Sequence, residues 1–273
     1  ASVAAAGIRR GVITNRDELI EKLEKVMTDA ELMANTKVTS AILSITGEHI
    51  RCLNTQAAIA LNRVNGAPGG IVERAIHDGD ISQVLDLAQA VSLPVDRDIL
   101  HTLPQEYLVD TLEEIKNPVG MTGRRLEGRV HLVTAATTAM NNLVSCAEEL
   151  GITVDGLVFQ PLASALATLQ EDEMELGVTL VEIGSSTTNI AVYHDSAVRH
   201  SAIIPIGASS ITNDIAVMLQ VSVNEAEKIK IKYASAQSSM SSEKLEIDLP
   251  AQAGQLQRSI SEQEVSRYVE ARM

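Results

Sequence analysis

Aromatic residues make up only 2% of this 273-residue chain, with no tryptophan, one phenylalanine and four tyrosines. Its core must therefore rest on Val, Ile, Leu, Ala and Met, and few rings are left for bases to stack on. Positive charge is scarce too: 22 Lys and Arg face 36 Asp and Glu, a formal net charge of −14. A surface of that sign repels a phosphate backbone, which argues against nucleic acid as a partner. A small polyanion such as a nucleotide stays possible, because backbone N–H groups and a metal ion act locally. The two cysteines, Cys52 and Cys146, are too few and too isolated for a disulfide framework. They fit a reducing cytoplasm, as small hydrophobes in apolar packing. The six histidines show no HExxH or paired-ligand spacing, so no zinc site is expected. No G-x-S-x-G elbow points to a serine hydrolase. Arg9 and Arg10 interrupt the small-residue start, which does not read as a signal peptide, and no run approaches bilayer length. The expectation is a soluble, cytoplasmic chain.

The length suggests about two domain-sized units, and 45% hydrophobic with 21% charged residues fits a folded protein. Asn15 followed by Glu18 reads as a capping box ahead of Leu19, Leu23, Val26, Met27 and Ala30 at helical spacing. Strands are expected over residues 40–45 and about 49–61, with a loop over 65–70. Asp80 is expected to cap a helix carrying Ile81, Val84, Leu85, Ala88 and Val91 that ends before Pro94. Short extended pieces then lead to an Asn117-Pro118 turn and a strand over 130–134. A helix over 138–150, a strand over 154–159 and a helix over 161–169 complete an α/β alternation. The Ser- and Gln-rich segment 235–243 is expected to be a mobile loop.

The segment with most chemistry is 181–193. Two β-type runs flank Gly184, Ser185, Ser186, Thr187 and Thr188, with Glu182 closing the first run and Asn189 opening the second. Small residues let a backbone approach a ligand, consecutive N–H groups can hold an anion, and a carboxylate at a strand end can orient a metal ion through water. Taken alone, such a cluster is more often a polar turn. After it come Gly207-Ala208-Ser209-Ser210, where either serine is a candidate helix cap, and Glu227 and Lys230, three apart on one helix face. The last pair also reads as a plain exposed ion pair.

Upstream stand Pro104-Gln105-Glu106-Tyr107 and Lys116-Asn117-Pro118-Val119-Gly120-Met121. With these blocks the chain resembles the FtsA family of actin-like bacterial division proteins along nearly its whole length. The resemblance implies an α/β, actin/Hsp70-like (ribonuclease H-like) core with an FtsA-type inserted subdomain. It divides the chain into first core subdomain (1–41), insert (42–131), return to the first core subdomain (132–177), second core subdomain with its phosphate hairpin (178–206) and a smaller lobe (207–273). It also implies an internal portion of a longer protein, lacking a first phosphate hairpin and a C-terminal part.

The same resemblance implies ATP held by Gly184, Ser185, Ser186, Thr187, Thr188 and Gly207, with Glu182 serving Mg²⁺ and Glu227 and Lys230 bordering the adenosine. The family hairpin reads Asp-Ile-Gly-Gly-Gly-Thr-Thr-Asp, whereas this one has Glu182, Ser185, Ser186 and Asn189. At most a weak actin-like ATPase is expected, and no catalytic residue is assigned. Arg258 and Arg272 are candidates for receiving the C-terminal peptide of FtsZ, the tubulin-like division protein. Self-association through the insert, and membrane contact only through a C-terminal helix absent here, complete the expectation of an adaptor on the cytoplasmic face of the division site. The alternatives are an actively ATP-hydrolysing actin-like enzyme and a pilus-assembly adaptor of the PilM type.

Overall fold

A computed structural model describes residues 1–61, 74–249 and 258–273. The loop expected at 65–70 lies outside them. The chain divides into two compact units: residues 1–182 with 187–205, and residues 183–186 with 206–273.

In the first unit a small hairpin, β1 (Ile8–Arg9) and β2 (Val12–Ile13), precedes helix α1 (Arg16–Ala34). Asn15 caps α1 as expected, its side chain accepting from the Glu18 N–H at 3.4 Å. β3 (Ser40–Ile45), β4 (Arg51–Ala60) and β5 (Arg74–Ala75) follow. In α2 (Asp78–Gln89) the cap is His77 rather than Asp80. Asp80 sits three residues inside, where its carboxylate accepts from the His77 N–H at 2.9 Å and from both Nη atoms of Arg74 at 2.7 and 2.5 Å. The bonds from Arg74 pull the Asp80 pKa down to about 2 against the opposing effect of burial.

Where short extended pieces were expected, the structure has one strand of 13 residues, β6 (Arg97–Val109), followed by β7 (Leu112–Ile115) and β8 (Thr122–Gly123). β6 contains Pro104, which cannot donate to a ladder. It is tolerated because the register breaks between Pro104 and Glu106, and because β7 pairs only with Tyr107 and Val109. The strand expected over 130–134 is the middle of β9 (Arg125–Ala136). Together these strands form an antiparallel sheet in the order β4-β9-β6-β7. α2 covers one face of it, with Val84 and Ala88 packed among Val130, Leu132 and Leu126.

The chain then returns through α3 (Thr137–Glu149) to β10 (Thr153–Phe159), which lies parallel to β3. The single phenylalanine, Phe159, is fully buried with Ile50, Val133 and Ala135, and Cys52 and Met140 pack against them. Cys146 is buried as expected, while Cys52 is half-buried. α4 (Gln160–Thr168), with Pro161 in its first turn, and α5 (Glu171–Leu176) lead to a three-stranded sheet of β11 (Val178–Ile183), β12 (Thr188–His194) and β13 (Ala197–Ile204).

The second unit holds α6 (Ala208–Leu219), α7 (Val223–Tyr233), the antiparallel pair β14 (Glu246–Asp248) and β15 (Ser259–Ser261), and α8 (Glu262–Glu270). Its core joins Ile215, Leu219, Ala226, Ile229, Ile247, Ile260, Val265 and Val269. The segment expected to be a mobile loop, 235–243, contains a 3₁₀ turn (Ser238–Met240) and is bonded to α8. The Ser235 N–H donates to the buried Ser266 hydroxyl at 3.0 Å, and the Ser242 N–H to Glu262 at 2.8 Å. Local composition predicted mobility; the serines instead serve as bonding partners for a neighbouring helix. Among the described residues no helix is long and apolar enough to cross a membrane.

Candidate functional site

β11 and β12 flank the turn as expected, with Glu182 one residue from the end of β11 and Asn189 second in β12. None of residues 184–188 has a positive φ. Ser185 and Ser186 therefore enter the turn without backbone strain. For the same reason the turn is not a nest of alternating handedness, and any anion must be held by individual N–H and hydroxyl groups. Thr187 is buried, and the backbone N–H groups of Ser186 and Thr187 take no protein acceptor among the described residues.

Glu182 is the centre of a polar cluster. Its Oε1 accepts from Gln160 Nε2 at 2.6 Å and Ser164 Oγ at 2.9 Å, and its Oε2 accepts from Asn189 Nδ2 at 2.9 Å. Asn189 is buried, and its Oδ1 takes the Thr46 hydroxyl proton at 2.7 Å. Four donors from α4, β12 and the end of β3 thus orient one carboxylate and its neighbour. Sequence reasoning missed Gln160, Ser164 and Thr46. The first two lie four apart on one face of α4, a helical spacing of polar residues beside an otherwise apolar stripe. Among the described residues no group of three His, Cys, Asp or Glu gathers as a metal cage. A Mg²⁺ ion needs only one or two carboxylates beside phosphate oxygens and water, so Glu182 fits that requirement.

Gly207, not Ser209 or Ser210, occupies the cap position of α6. The reason is room: a Cβ on Gly207 would sit 2.5 Å from the Gly184 carbonyl oxygen and 2.6 Å from that of Ser185. Those two carbonyls accept the first N–H groups of α6, from Ala208 at 2.9 Å and Ser209 at 2.8 Å. Gly207 is therefore brought against the hairpin, but the helix N–H groups of Ala208 and Ser209 are used by protein.

Glu227 and Lys230 do meet, at 2.7 Å, but the pair is more than a surface contact. Lys230 is 16% exposed and donates also to Thr212 Oγ1 at 2.9 Å and the Ala208 carbonyl at 3.3 Å, while Thr212 Oγ1 donates to Glu227 at 2.5 Å. The cluster ties α7 to the first turns of α6. Burial pushes the Glu227 carboxyl up, but the bonds from Lys230 and Thr212 and the Lys230 charge outweigh it and hold the pKa below its usual value.

Arg258 and Arg272 both have structural partners. Arg258 Nη2 donates to the Leu219 carbonyl at 2.9 Å, at the C-terminus of α6. Arg272 forms a two-pronged pair with Asp214, at 2.6 and 2.8 Å. That pair borders a cavity of about 370 Å³ lined by Asp214, Val217, Met218, Tyr268, Ala271 and Arg272. Val217 is 74% exposed, so the α6 side of this cavity presents bare apolar surface to solvent.

The comparisons address both the insert and the region around the hairpin. The family model "SHS2 domain inserted in FTSA" matches residues 47–134, and "Cell division protein FtsA" matches residues 179–270. The chain belongs to the FtsA family. It is 39% identical over 266 residues to cell division protein FtsA of Pseudomonas aeruginosa, covering 97% of this chain and 61% of that one. To FtsA of Neisseria meningitidis serogroup B it is 36% identical over 267 residues, covering 98% of this chain and 62% of that one. The chain therefore spans about three fifths of the length of the curated relatives it matches. Among solved structures, the PilM-PilN type IV pilus biogenesis complex superposes with a TM-score of 0.61 at 12% identity, covering 85% of this chain and 61% of that chain. At that identity the likeness concerns the fold alone. The expected class, an actin-like α/β core with an FtsA-type insert, holds.

Proposed function

We propose that this chain is the recruiting part of an actin-like division protein, in which ATP is a conformational ligand and partner capture is the output. The observation that carries the reading is the half-open cavity between α6 and α8, with exposed Val217 and Met218 beside the Arg272–Asp214 pair. An apolar floor beside an arginine suits a short amphipathic peptide with an acidic group, and the family supplies one in the C-terminal peptide of FtsZ. Arg272 would reach that peptide by exchanging Asp214 for the peptide's carboxylate. Arg258 would act indirectly, by fixing the end of α6.

In the same reading, residues 184–188 hold the phosphates of ATP through the free Ser186 and Thr187 N–H groups and the turn's hydroxyls. Glu182 would orient Mg²⁺-bound water, its carboxylate already aimed by Gln160, Ser164 and Asn189. Gly207 would support the turn from behind, and Glu227 with Lys230 would border the adenosine. Hydrolysis is at most weak, since a carboxylate committed to three protein donors is poorly free to activate water. The insert would serve head-to-tail self-association, and the protein would link FtsZ to the cytoplasmic face of the membrane at the division site.

The test is fluorescence anisotropy with a labelled FtsZ C-terminal peptide. Saturable binding that Val217→Asp weakens at least about tenfold, roughly 1.4 kcal/mol, supports the reading. Equal affinity of the wild type and this surface variant would refute the cavity as the site.

A further inference from the structure

The insert is bonded to strand β13 by a set of side chains that the nucleotide reading leaves unused. His131, in the middle of β9, is almost wholly buried, as is Ser201 in β13. His131 Nδ1 lies 2.5 Å from Asn54 Oδ1, and Nε2 lies 2.7 Å from Ser201 Oγ. Asn54 spends its amide on the Arg199 carbonyl at 3.0 Å, which leaves Oδ1 as acceptor. The ring therefore carries its proton on Nδ1, and Nε2 accepts the hydroxyl proton of Ser201. From β6, Gln105 Nε2 donates to the Val198 carbonyl at 2.7 Å and the Arg199 carbonyl at 3.2 Å.

Three strands of the insert sheet, β4, β6 and β9, thus each send a polar side chain to residues 198–201 of β13. Separating them would strand the buried His131 and Ser201 side chains, which costs more than their bond is worth when water can replace it, while the bonds of exposed Asn54 and half-buried Gln105 add to the same seam. β13 in turn pairs with β12 from Ala197–His194 to Ile204–Thr188, the last residue of the hairpin turn. The path from turn to insert consists of one ladder and one set of side-chain bonds centred on the buried His131–Ser201 pair.

We propose that Asn54, Gln105 and His131 are positioning residues that lock the insert to β13, so that insert and hairpin arm open as one cooperative body and a ligand on the turn stiffens the insert in the same event. The second half rests on the reading of residues 184–188 as a phosphate site. Native-state hydrogen exchange of the whole chain tests the two halves apart. Without ligand, amides of β4 and β13 should share one opening step and one denaturant dependence. Gln105→Ala, at a half-buried position, should make β13 exchange roughly five- to tenfold faster than β4, the effect of about one net hydrogen bond. Asn54→Ala should do the same, and His131→Gln, which keeps a donor and an acceptor, should do so least. Separate opening of β4 and β13 in the wild type, or concerted opening that survives both alanine variants, would overturn the lock.

In the second arm Mg²⁺ and ATP are added to the wild-type chain. Slower exchange at the turn and in β4 together supports coupling. Protection of the turn alone overturns it. No protection at the turn overturns the phosphate reading and the ligand half of the proposal, while the lock is still decided by the first arm.

Discussion

Lowering the pH from about 7 to about 5 should destabilise the first unit through His131, before its carboxylates titrate. Burial, helped by the nearby charge of His200, pushes the His131 pKa from the ordinary 6.5 down to about 4. Between those values the unfolded chain takes a proton that the folded chain refuses, so stability falls as pH falls. Each pH unit inside the window costs about 1.4 kcal/mol, and the loss between about pH 7 and about pH 5 comes to about 2 kcal/mol. His49 and His101 are also lowered by burial and have the same sign, so the wild type alone does not isolate the effect. Asp80 and Glu227 are depressed carboxyls; their contribution is intact at pH 5 and is lost only as pH falls through their folded-state values. The comparison that isolates His131 is urea unfolding, followed by circular dichroism, of the wild type and His131→Gln at both pH values. The wild type should lose about 2 kcal/mol more than the variant on acidification. An equal loss in both proteins would refute the assignment of a buried, neutral His131 bonded to Asn54 and Ser201.

Gly207→Ala should shift the hairpin away from α6, because its Cβ meets two backbone oxygens that cannot rotate aside; a loss of about 1–3 kcal/mol by chemical denaturation is expected, and none would mean the close approach is not made. Arg74→Ala leaves the largely buried Asp80 carboxylate without its cation, which should cost about 1–3 kcal/mol at neutral pH and progressively less as pH falls below about 4. Leu132→Ala, at a fully buried site under α2, should cost about 2–5 kcal/mol in thermal or urea unfolding. Glu182→Gln keeps the volume but loses the charge. It should weaken Mg²⁺-dependent ATP binding by calorimetry while leaving Mg²⁺-free binding nearly unchanged, and an unaltered Mg²⁺ dependence would remove Glu182 from the metal's reach.

Elements defined by neighbours in the chain are legible in the amino-acid order. The Asn15 cap, the strand Ser40–Ile45, the run Thr153–Phe159 into Pro161 and the β11–β12 turn all depend on local periodicity, capping and turn chemistry. The motif blocks around Pro104 and Asn117 carried the family, because they identify a lineage without any knowledge of contacts. Tertiary structure decided which partner each polar group found. Pro104 lies in a long strand because β7 stops short of it, and Asp80, inside the first turn of α2, divides its carboxylate between the His77 N–H and Arg74. Ser238 and its neighbours are held because α8 offers Glu270 and Ser266. Glu182 is oriented by Gln160, Ser164 and, through Asn189, by Thr46, the last of these 136 residues away from it in the chain. Local pattern sets where the backbone can bond to itself. Which distant side chain completes a buried hydrogen bond depends on the packing of whole elements, and the cost of leaving that bond unmade selects the arrangement.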